Sequence, residues 1–129
     1  MATQLYRSKP SSRGFATVDI STAADGVSSA INISGLTLCC IQMSTGWDTA
    51  NIGFKGNVDG STNYFDVHDT AGNFLTYATS ANYLLTFDPA VFAGIQNLKL
   101  VSETSAGVAV AQTKAMVLKL GLAEVVQAD

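Results

Sequence analysis

The chain consists of short segments in which apolar and polar positions alternate, separated by turns rich in Gly, Asp and Asn. Residues 52–77 show this best, because the strand-forming residues are interrupted at Asp59-Gly60-Ser61 and again at 69–73. Gly, Asn and Asp tolerate the positive φ of tight reversals, whereas β-branched and aromatic residues favour strands. This segment therefore predicts an antiparallel meander and an all-β fold.

The same pattern recurs at a spacing of about ten residues over most of the chain. Residues 15–20 alternate with period two and, with 27–33, predict a first hairpin. Residues 36–43 form the most continuous apolar run and predict a central strand covered on both faces. Eight or nine strands predict a single-domain antiparallel β-sandwich or jelly roll. The other predicted strands are 52–58, 64–68, 74–77, 83–87, 98–103 and 116–120, with 122–126 as an extension of the last.

Three shorter features have a local interpretation. Asp88 and Pro89, with Gly94 beyond them, predict one helical turn over 88–94, since Asp is a good N-cap and Pro suits the first helical position. Gly56 occupies an inward slot and indicates a bulge or a close approach by a neighbour. Residues 104–113 are rich in Ala, Gly and Ser and predict a mobile loop. A helix over 109–122 is the alternative, but the β-branched residues favour a strand.

Composition and charge suggest a chain that is buried in an assembly. The 129 residues fit one domain, and only 13% of them are charged against about 25% in a typical protein. Ser, Thr, Asn, Gly and Ala must therefore cover much of the surface. The net charge of −3 argues against a general nucleic-acid partner.

The charge is unevenly distributed along the chain. Arg7, Lys9 and Arg13 lie within the first eighteen residues, which hold no acid, so the remainder carries a net −6. We therefore expect a flexible basic N-terminal arm over 1–14 and a β-sandwich domain over 15–129. The arm is either a frayed, solvated terminus or a segment that orders against an acidic neighbouring subunit.

The sequence shows no secretion or membrane signal. The first fourteen residues lack a continuous apolar region, and no apolar run approaches the ~20 residues that span a bilayer, so we expect a cytoplasmic site of synthesis and no membrane partner. Cys39 and Cys40 are adjacent in a predicted strand, where successive side chains point to opposite faces. Reduced thiols are therefore expected, without a disulfide or a metal.

The only histidine, His68, is the first candidate for acid and base catalysis. Asp66 and His68 share one face of a strand while Asp69 points to the other, so these acids cannot both reach one site. The pattern favours a polar or turn-capping role, with metal ligation and catalysis as alternatives. No nucleophile elbow, phosphate loop, zinc spacing or paired-carboxylate motif is present, so we expect no enzyme activity and no cofactor.

Oxygen-bearing side chains surround the first of the two turns, at Asn57, Asp59, Asn63 and Asp66. Calcium loops need six to eight oxygen ligands, but this spacing does not match an EF-hand and lacks its bidentate Glu. Capping of the turn by Asx side chains is the favoured interpretation.

Trp47, beside Asp48, has two interpretations: a fragment of a sugar site, or a plug or interface anchor of the sandwich. The candidate interaction residues are Tyr6, Arg7, Lys9, Arg13 and Trp47.

The order of several segments resembles that of small structural proteins of tailed bacteriophages and prophages. The resemblance covers about residues 27 to 122 and rests on SGLTL at 34–38, IQMSTGW at 41–47, FKGNVDG at 54–60, NYFDV at 63–67, FDPAVFAGI at 87–95 and LKL at 98–100. It implies a β-sandwich subunit of the kind that decorates or cements the virion. The motif is a packing signature, so no functional residue is carried over.

The resemblance implies a capsid decoration subunit that is assembled in the bacterial cytoplasm and located on the virion. Its partners would be the major capsid protein or other virion proteins. The subunit would also form a homo-oligomer, for which a trimer is the expectation. The alternative is a tail-, neck- or head-fibre module that recognises host glycans through an aromatic platform of Trp47, Tyr64 and Tyr77.

Overall fold

The computed structural model describes residues 14–124 and contains eight strands and one short 3-10 helix. The strands are β1 (Gly14–Ile20), β2 (Ile31–Asn32), β3 (Leu36–Gln42), β4 (Asn51–Asn57), β5 (Phe65–Asp66), β6 (Leu84–Thr86), β7 (Asn97–Glu103) and β8 (Met116–Glu124). The 3-10 helix, Pro89–Phe92, lies between β6 and β7.

The strands form two antiparallel sheets of four strands each. Sheet A has the order β1-β8-β3-β6, and sheet B has the order β2-β7-β4-β5. The same order results when one long antiparallel hairpin is rolled into two sheets, which is the construction of a jelly roll. The strand pairs of that hairpin are β1–β8, β2–β7, β3–β6 and β4–β5. The prediction of an all-β antiparallel sandwich is confirmed.

The core lies between the two sheets and follows from the period-two alternation of each strand. In β8, Met116, Leu118 and Leu120 are buried while Val117 and Lys119 are exposed. The opposite sheet supplies inward residues from β4 and β7, and the fully buried members of the whole core include Ile20, Leu38, Ile41, Ile52, Leu98, Leu100, Leu118 and Leu120.

The 3-10 helix closes one part of the sandwich with an aromatic side chain. Asp88 caps it by accepting a hydrogen bond from the Ala90 N–H, as the sequence predicts, and Pro89 occupies its first position. Phe92 is fully buried, and its ring centroid lies 4.8 Å from that of Phe54 and 5.3 Å from that of Phe87. The cap thus holds a large apolar side chain in the core.

The predicted hairpin of 15–33 is wrong. All of β1 pairs with β8, from Gly14 beside Leu122 to Ile20 beside Met116, and β2 pairs with β7 in the other sheet. What remains of that hairpin is a bridge between Ile20 and Ser28 and hydrogen bonds between Asp19 and Ser29. Alternation within a segment identifies its inward residues but not its neighbouring strand, and here the neighbour lies about 100 residues away.

Other segments match the predictions in part. The helix alternative for 109–122 is wrong, because 116–124 form β8. The predicted strands 64–68 and 74–77 shrink to β5 and to isolated bridges at His68 and Tyr77. Residues 104–113 are a loop, but one attached to the sandwich. The buried Gln112 donates to Ser102 Oγ, its carbonyl accepts from the Asp48 N–H, and the Thr113 N–H and hydroxyl both donate to the Asp48 carboxylate.

Candidate functional site

Four of the five predicted interaction residues, Tyr6, Arg7, Lys9 and Arg13, lie outside the described residues. β1 begins at Gly14, one residue before the predicted start of the sandwich domain.

Trp47 is part of the core. Its side chain is 6% exposed, and its indole N–H donates a hydrogen bond to the carbonyl of Ala50 at 3.1 Å. A buried ring with a satisfied polar tip stabilises the loop before β4 and offers no free face for stacking on a sugar. Of the two interpretations of this residue, the structure matches the plug.

The aromatic platform of Trp47, Tyr64 and Tyr77 is not assembled on the surface. Tyr77 packs edge-on against Phe54 and Phe87, with centroid distances of 6.1 and 4.8 Å. The Lys99 ammonium lies 4.3 Å from the centroid of the Tyr64 ring, which occupies one face of that ring.

The turn after β4 is held by Asx capping, as predicted. The Asn57 amide donates to the carbonyls of Ser61 and Asn63, and Asp59 accepts from the Ser61 N–H. Asp66 does not join these groups, because its carboxylate pairs with the Lys55 ammonium at 2.7 Å. Within residues 14–124, no group of three or more His, Cys, Asp or Glu side chains is arranged to hold a metal ion.

His68 has local partners of its own. Its Nδ1 lies 3.1 Å from the Asp66 carbonyl oxygen, and its ring lies 4.7 Å from that of Phe74. Asp69 instead caps the next turn, accepting from the N–H groups of Ala71 and Asn73. The two acids beside the imidazole are thus engaged elsewhere, which matches the favoured turn role.

The two cysteines are free thiols, as expected. Both are half-buried, and burial together with the neighbouring Cys40 raises the pKa of Cys39. A thiol with a raised pKa is less ionised at neutral pH and therefore a poorer nucleophile. Cys40 is distinctive for its position, since its sulfur lies directly over Gly121 of β8, where a Cβ would collide with it.

Sheet B contains a buried acid that the sequence did not indicate. Glu103, at the end of β7, is 4% exposed, and its carboxyl group lies over the backbone of Gly53 in β4, in space that a side chain at 53 would occupy. Burial and, secondarily, the Asp66 carboxylate raise its pKa, and Lys55 offsets part of this effect. A Gly at an outward position of β4 was the only sequence signal of this arrangement.

The outer faces of the two sheets differ in how far they are covered. On sheet B, the outward residues Val101 and Glu103 are 3% and 4% exposed. Two loops that follow strands of this sheet meet where the Phe74 ring lies against Gly107. On sheet A, by contrast, the outward Phe15 and Val117 are 72% and 48% exposed.

We call the exposed surface of sheet A the open face and define it by Phe15, Thr17, Asp19, Cys40, Gln42, Leu84, Val117, Lys119 and Gly121. Strand register places Phe15, Gly121 and Cys40 in one row, and Thr17, Lys119, Gln42 and Leu84 in the next. Leu84 is 61% exposed, and a groove of about 270 Å³ runs over Gly121 between Phe15 and Leu84. Sequence reasoning missed this face, although the outward parity of Phe15 and Val117 was a signal for it.

A second apolar groove, of about 300 Å³, lies where β4 meets β5 and is lined by Val58, Phe65 and Ile95 among others. Val58 and Phe65 are 74% and 67% exposed. The open face is broader, because it extends across all four strands of its sheet.

Comparison with known proteins gives no family for this chain: no family model, curated protein or solved structure matches it. No helix among the described residues is long and apolar enough to cross a membrane.

Proposed function

We propose that this chain is a structural protein of a bacteriophage virion, a decoration subunit that binds the outer surface of the head and stabilises it by bridging capsomers. The observation that carries the proposal is the difference between the two sheets. Sheet B buries the outward residues Val101 and Glu103, whereas sheet A leaves Phe15, Leu84 and Val117 exposed. Large apolar side chains left exposed on one face of a sheet favour a protein interaction site.

The charge of the described part supports attachment to another protein surface. Residues 14–124 hold nine acids and only four basic residues, so the sandwich is acidic while the segment before it is basic. A basic segment and an acidic domain within one subunit favour contacts between neighbouring subunits, and they would speed association with an oppositely charged surface.

The mechanism that we propose is cohesion through many weak contacts. Each subunit would use the open face and the basic arm for contacts within the virion shell, one with a sister subunit and the other with the major capsid protein or another virion protein. Repetition of the contact over the shell multiplies its effect, because after the first contact each further one is intramolecular. The subunit would be made in the bacterial cytoplasm and would act on the virion.

The fold agrees with this proposal by analogy alone. Antiparallel double-sheet domains occur in viral capsids and also in lectins, and a fold of this kind does not by itself define a function. The interaction surface, and not the architecture, therefore decides between a capsid protein and a glycan-binding module.

The direct test is immunogold electron microscopy of intact particles from the source lysate, with antibodies raised against this chain. We expect label over the heads. Label confined to the tail or neck would replace the decoration role with a tail-associated one, and particles without label would overturn the virion assignment.

The role of the arm has its own test. Deletion of residues 2–14 should weaken attachment to particles while the cooperative unfolding of the sandwich is retained, since it removes only Gly14, the first residue of β1, from the described strands. Attachment measured by co-sedimentation with particles should fall, and substitution of Arg7, Lys9 and Arg13 by Gln should reproduce most of the loss. Unchanged attachment of both variants would exclude the arm.

The glycan-binding alternative needs a variant that leaves the core intact. Trp47→Ala is unsuitable, because removal of a buried aromatic side chain costs about 3–5 kcal/mol. Tyr64→Ala is the better choice, since Tyr64 is half-buried and lies outside the core cluster. A glycan-array signal lost in Tyr64→Ala and kept in the Val108→Ala control would favour the binding module over the decoration role.

The proposal includes no enzymatic role. His68 contacts Phe74 and the Asp66 carbonyl oxygen, so a hydrolytic function would require a base without an orienting carboxylate. Hydrolysis of model esters or glycosides by the purified chain, abolished by His68→Ala, would contradict it.

A further inference from the structure

The open face carries a charge pattern that fits itself. Asp19 of β1 stands opposite Val117 of β8, and Thr17 stands opposite Lys119, so one acid and one base lie one row apart on the same exposed surface. The described contacts give neither of them an ion pair. An acid and a base placed together on one surface are the two halves of a self-complementary contact.

We propose that the open face binds the open face of a second copy of this chain across a twofold axis. In such an isologous contact each residue pair occurs twice, so Asp19 of each copy would meet Lys119 of the other. Val117 is adjacent to both charges, opposite Asp19 in the register and two residues before Lys119 on β8, and would approach its own equivalent near the axis. Phe15 and Leu84 add apolar area to the same face.

Two further observations favour a second copy over another occupant. The described part is acidic overall, which disfavours contact between most of its surfaces, whereas the open face carries one acid and one base and is neutral. The face also has a groove of about 270 Å³ over Gly121, between the exposed Phe15 and Leu84, in which an apolar side chain of the other copy can lie. A neutral surface of this kind can approach its own copy without like-charge repulsion.

The same pattern argues for a twofold contact and against a ring. A cyclic trimer joins two different complementary patches, whereas here one patch supplies both partners. The expected trimer would then require a separate surface, such as the apolar groove at Val58 and Phe65.

The test is sedimentation equilibrium of the purified full chain, with multi-angle light scattering, from about 1 µM to about 500 µM. We expect a reversible monomer–dimer equilibrium in the parent. Val117→Arg should weaken dimerisation about thirtyfold or more, because it places two like charges at a central buried contact. The matched control is Val108→Arg, at a loop valine with 61% exposure away from the open face, and it should leave the equilibrium unchanged.

A charge-reversal cycle then tests the pairing itself. Asp19→Lys and Lys119→Glu should each weaken the dimer, and the double variant should restore it, because each reversed residue again meets an opposite charge. Circular dichroism and thermal unfolding of every variant verify that it is folded.

A parent that remains monomeric throughout, a trimer, or a dimer indifferent to Val117→Arg would overturn the inference. The inference would also be overturned if the double variant with Asp19→Lys and Lys119→Glu lost as much dimer affinity as the two single variants together. Because the measurement uses the purified chain without particles, these outcomes are independent of the virion assignment, which the gold-labelling experiment decides.

Discussion

Replacement of Phe92 by Ala should be the most damaging single change in the 3-10 helix. Phe92 is fully buried, and its ring packs edge-on against Phe54 and Phe87. Phe54 lies on the interior strand β4, and Phe87 is tied to β3 by a hydrogen bond from its N–H to the Cys39 carbonyl. Neighbours fixed in this way cannot collapse into the space that the ring leaves.

The expected loss in the free energy of unfolding is about 4–5 kcal/mol. Phe→Ala substitutions in cores cost about 3–5 kcal/mol, with the upper part reached where the site cannot relax. The two lost ring pairs, at about 0.5–1.5 kcal/mol each beyond their buried area, place Phe92 in that upper part. A domain at the lower end of the ordinary stability range of about 5–15 kcal/mol would retain little after this change.

The assay is urea unfolding followed by tryptophan fluorescence, with Val91→Ala as the matched control. Val91 lies on the same 3-10 helix but is 39% exposed, so its truncation should cost below about 1 kcal/mol. At an m value of about 2 kcal/mol/M, Phe92→Ala lowers the midpoint by about 2 M. Phe92→Leu, at about 1–2 kcal/mol, keeps the comparison measurable if the Ala variant is largely unfolded.

A cost below about 2 kcal/mol for Phe92→Ala would refute the reasoning, because it would mean that the cavity closes and that the aromatic neighbours move. Equal costs for Phe92→Ala and Val91→Ala would refute it as well, since the effect would then belong to the helix as a whole.

Three further changes test other parts of the fold. Because the pKa of Glu103 is raised, its protonated form supports the folded state, and this support is lost as pH rises through the folded pKa. Glu103→Gln should therefore be more stable than the parent at neutral pH, and the difference should shrink as pH falls toward the ordinary carboxyl pKa of 4.5. Thermal unfolding measures the difference, and a difference that does not change with pH would contradict this expectation. Hydrogen bonds from Thr113 lower the pKa of Asp48, so Asp48→Asn should speed hydrogen exchange at the Thr113 amide, and unchanged exchange would mean that the loop is held elsewhere. Gly26→Ala should lower the free energy of unfolding by about 2–4 kcal/mol, since φ is +64° and a Cβ would lie 2.6 Å from the Ser102 carbonyl oxygen. The control Gly72→Ala, also at positive φ but in open space, should cost about 1 kcal/mol. Equal losses in urea unfolding would contradict the steric argument.

Features set by neighbouring residues could be predicted from the sequence. The 3-10 helix follows from Asp88 and Pro89, because a capping side chain and a fixed φ act within one turn. The Asx turn at 57–63 follows in the same way from side chains that bond to the backbone two to six residues away. The burial of Gly56 also matches, since a Cβ there would meet the Asn97 carbonyl oxygen at 3.0 Å.

Features that depend on distant segments could not be predicted. The partner of β1 is β8, and the alternation of β1 contains no information about which strand lies beside it. The attachment of the loop 104–113 depends on Asp48, about 65 residues earlier, so its small residues suggested mobility.

The candidate site shows the same division. The sequence placed Trp47 in a loop but could not show whether its ring turns inward, because loops lack the periodicity that fixes side-chain direction in strands. Phe15 and Val117 have outward parity in the sequence, yet their joint exposure depends on β1 and β8 being neighbours and on nothing covering them. The burial of Glu103 depends on a contact across strands with Gly53.

The position of β8 between β1 and β3 affects the order of events while the chain is being synthesised. β1 is made about 100 residues before β8, the strand with which it pairs, and β3 waits almost as long for its second neighbour. Until β8 emerges, both strands have unpaired backbone edges that a nascent chain on an adjacent ribosome can bind. Sheet A is therefore completed late by the insertion of a single strand, and a chaperone that shields residues 14–42 during translation would raise the yield of folded protein more than one that acts after release.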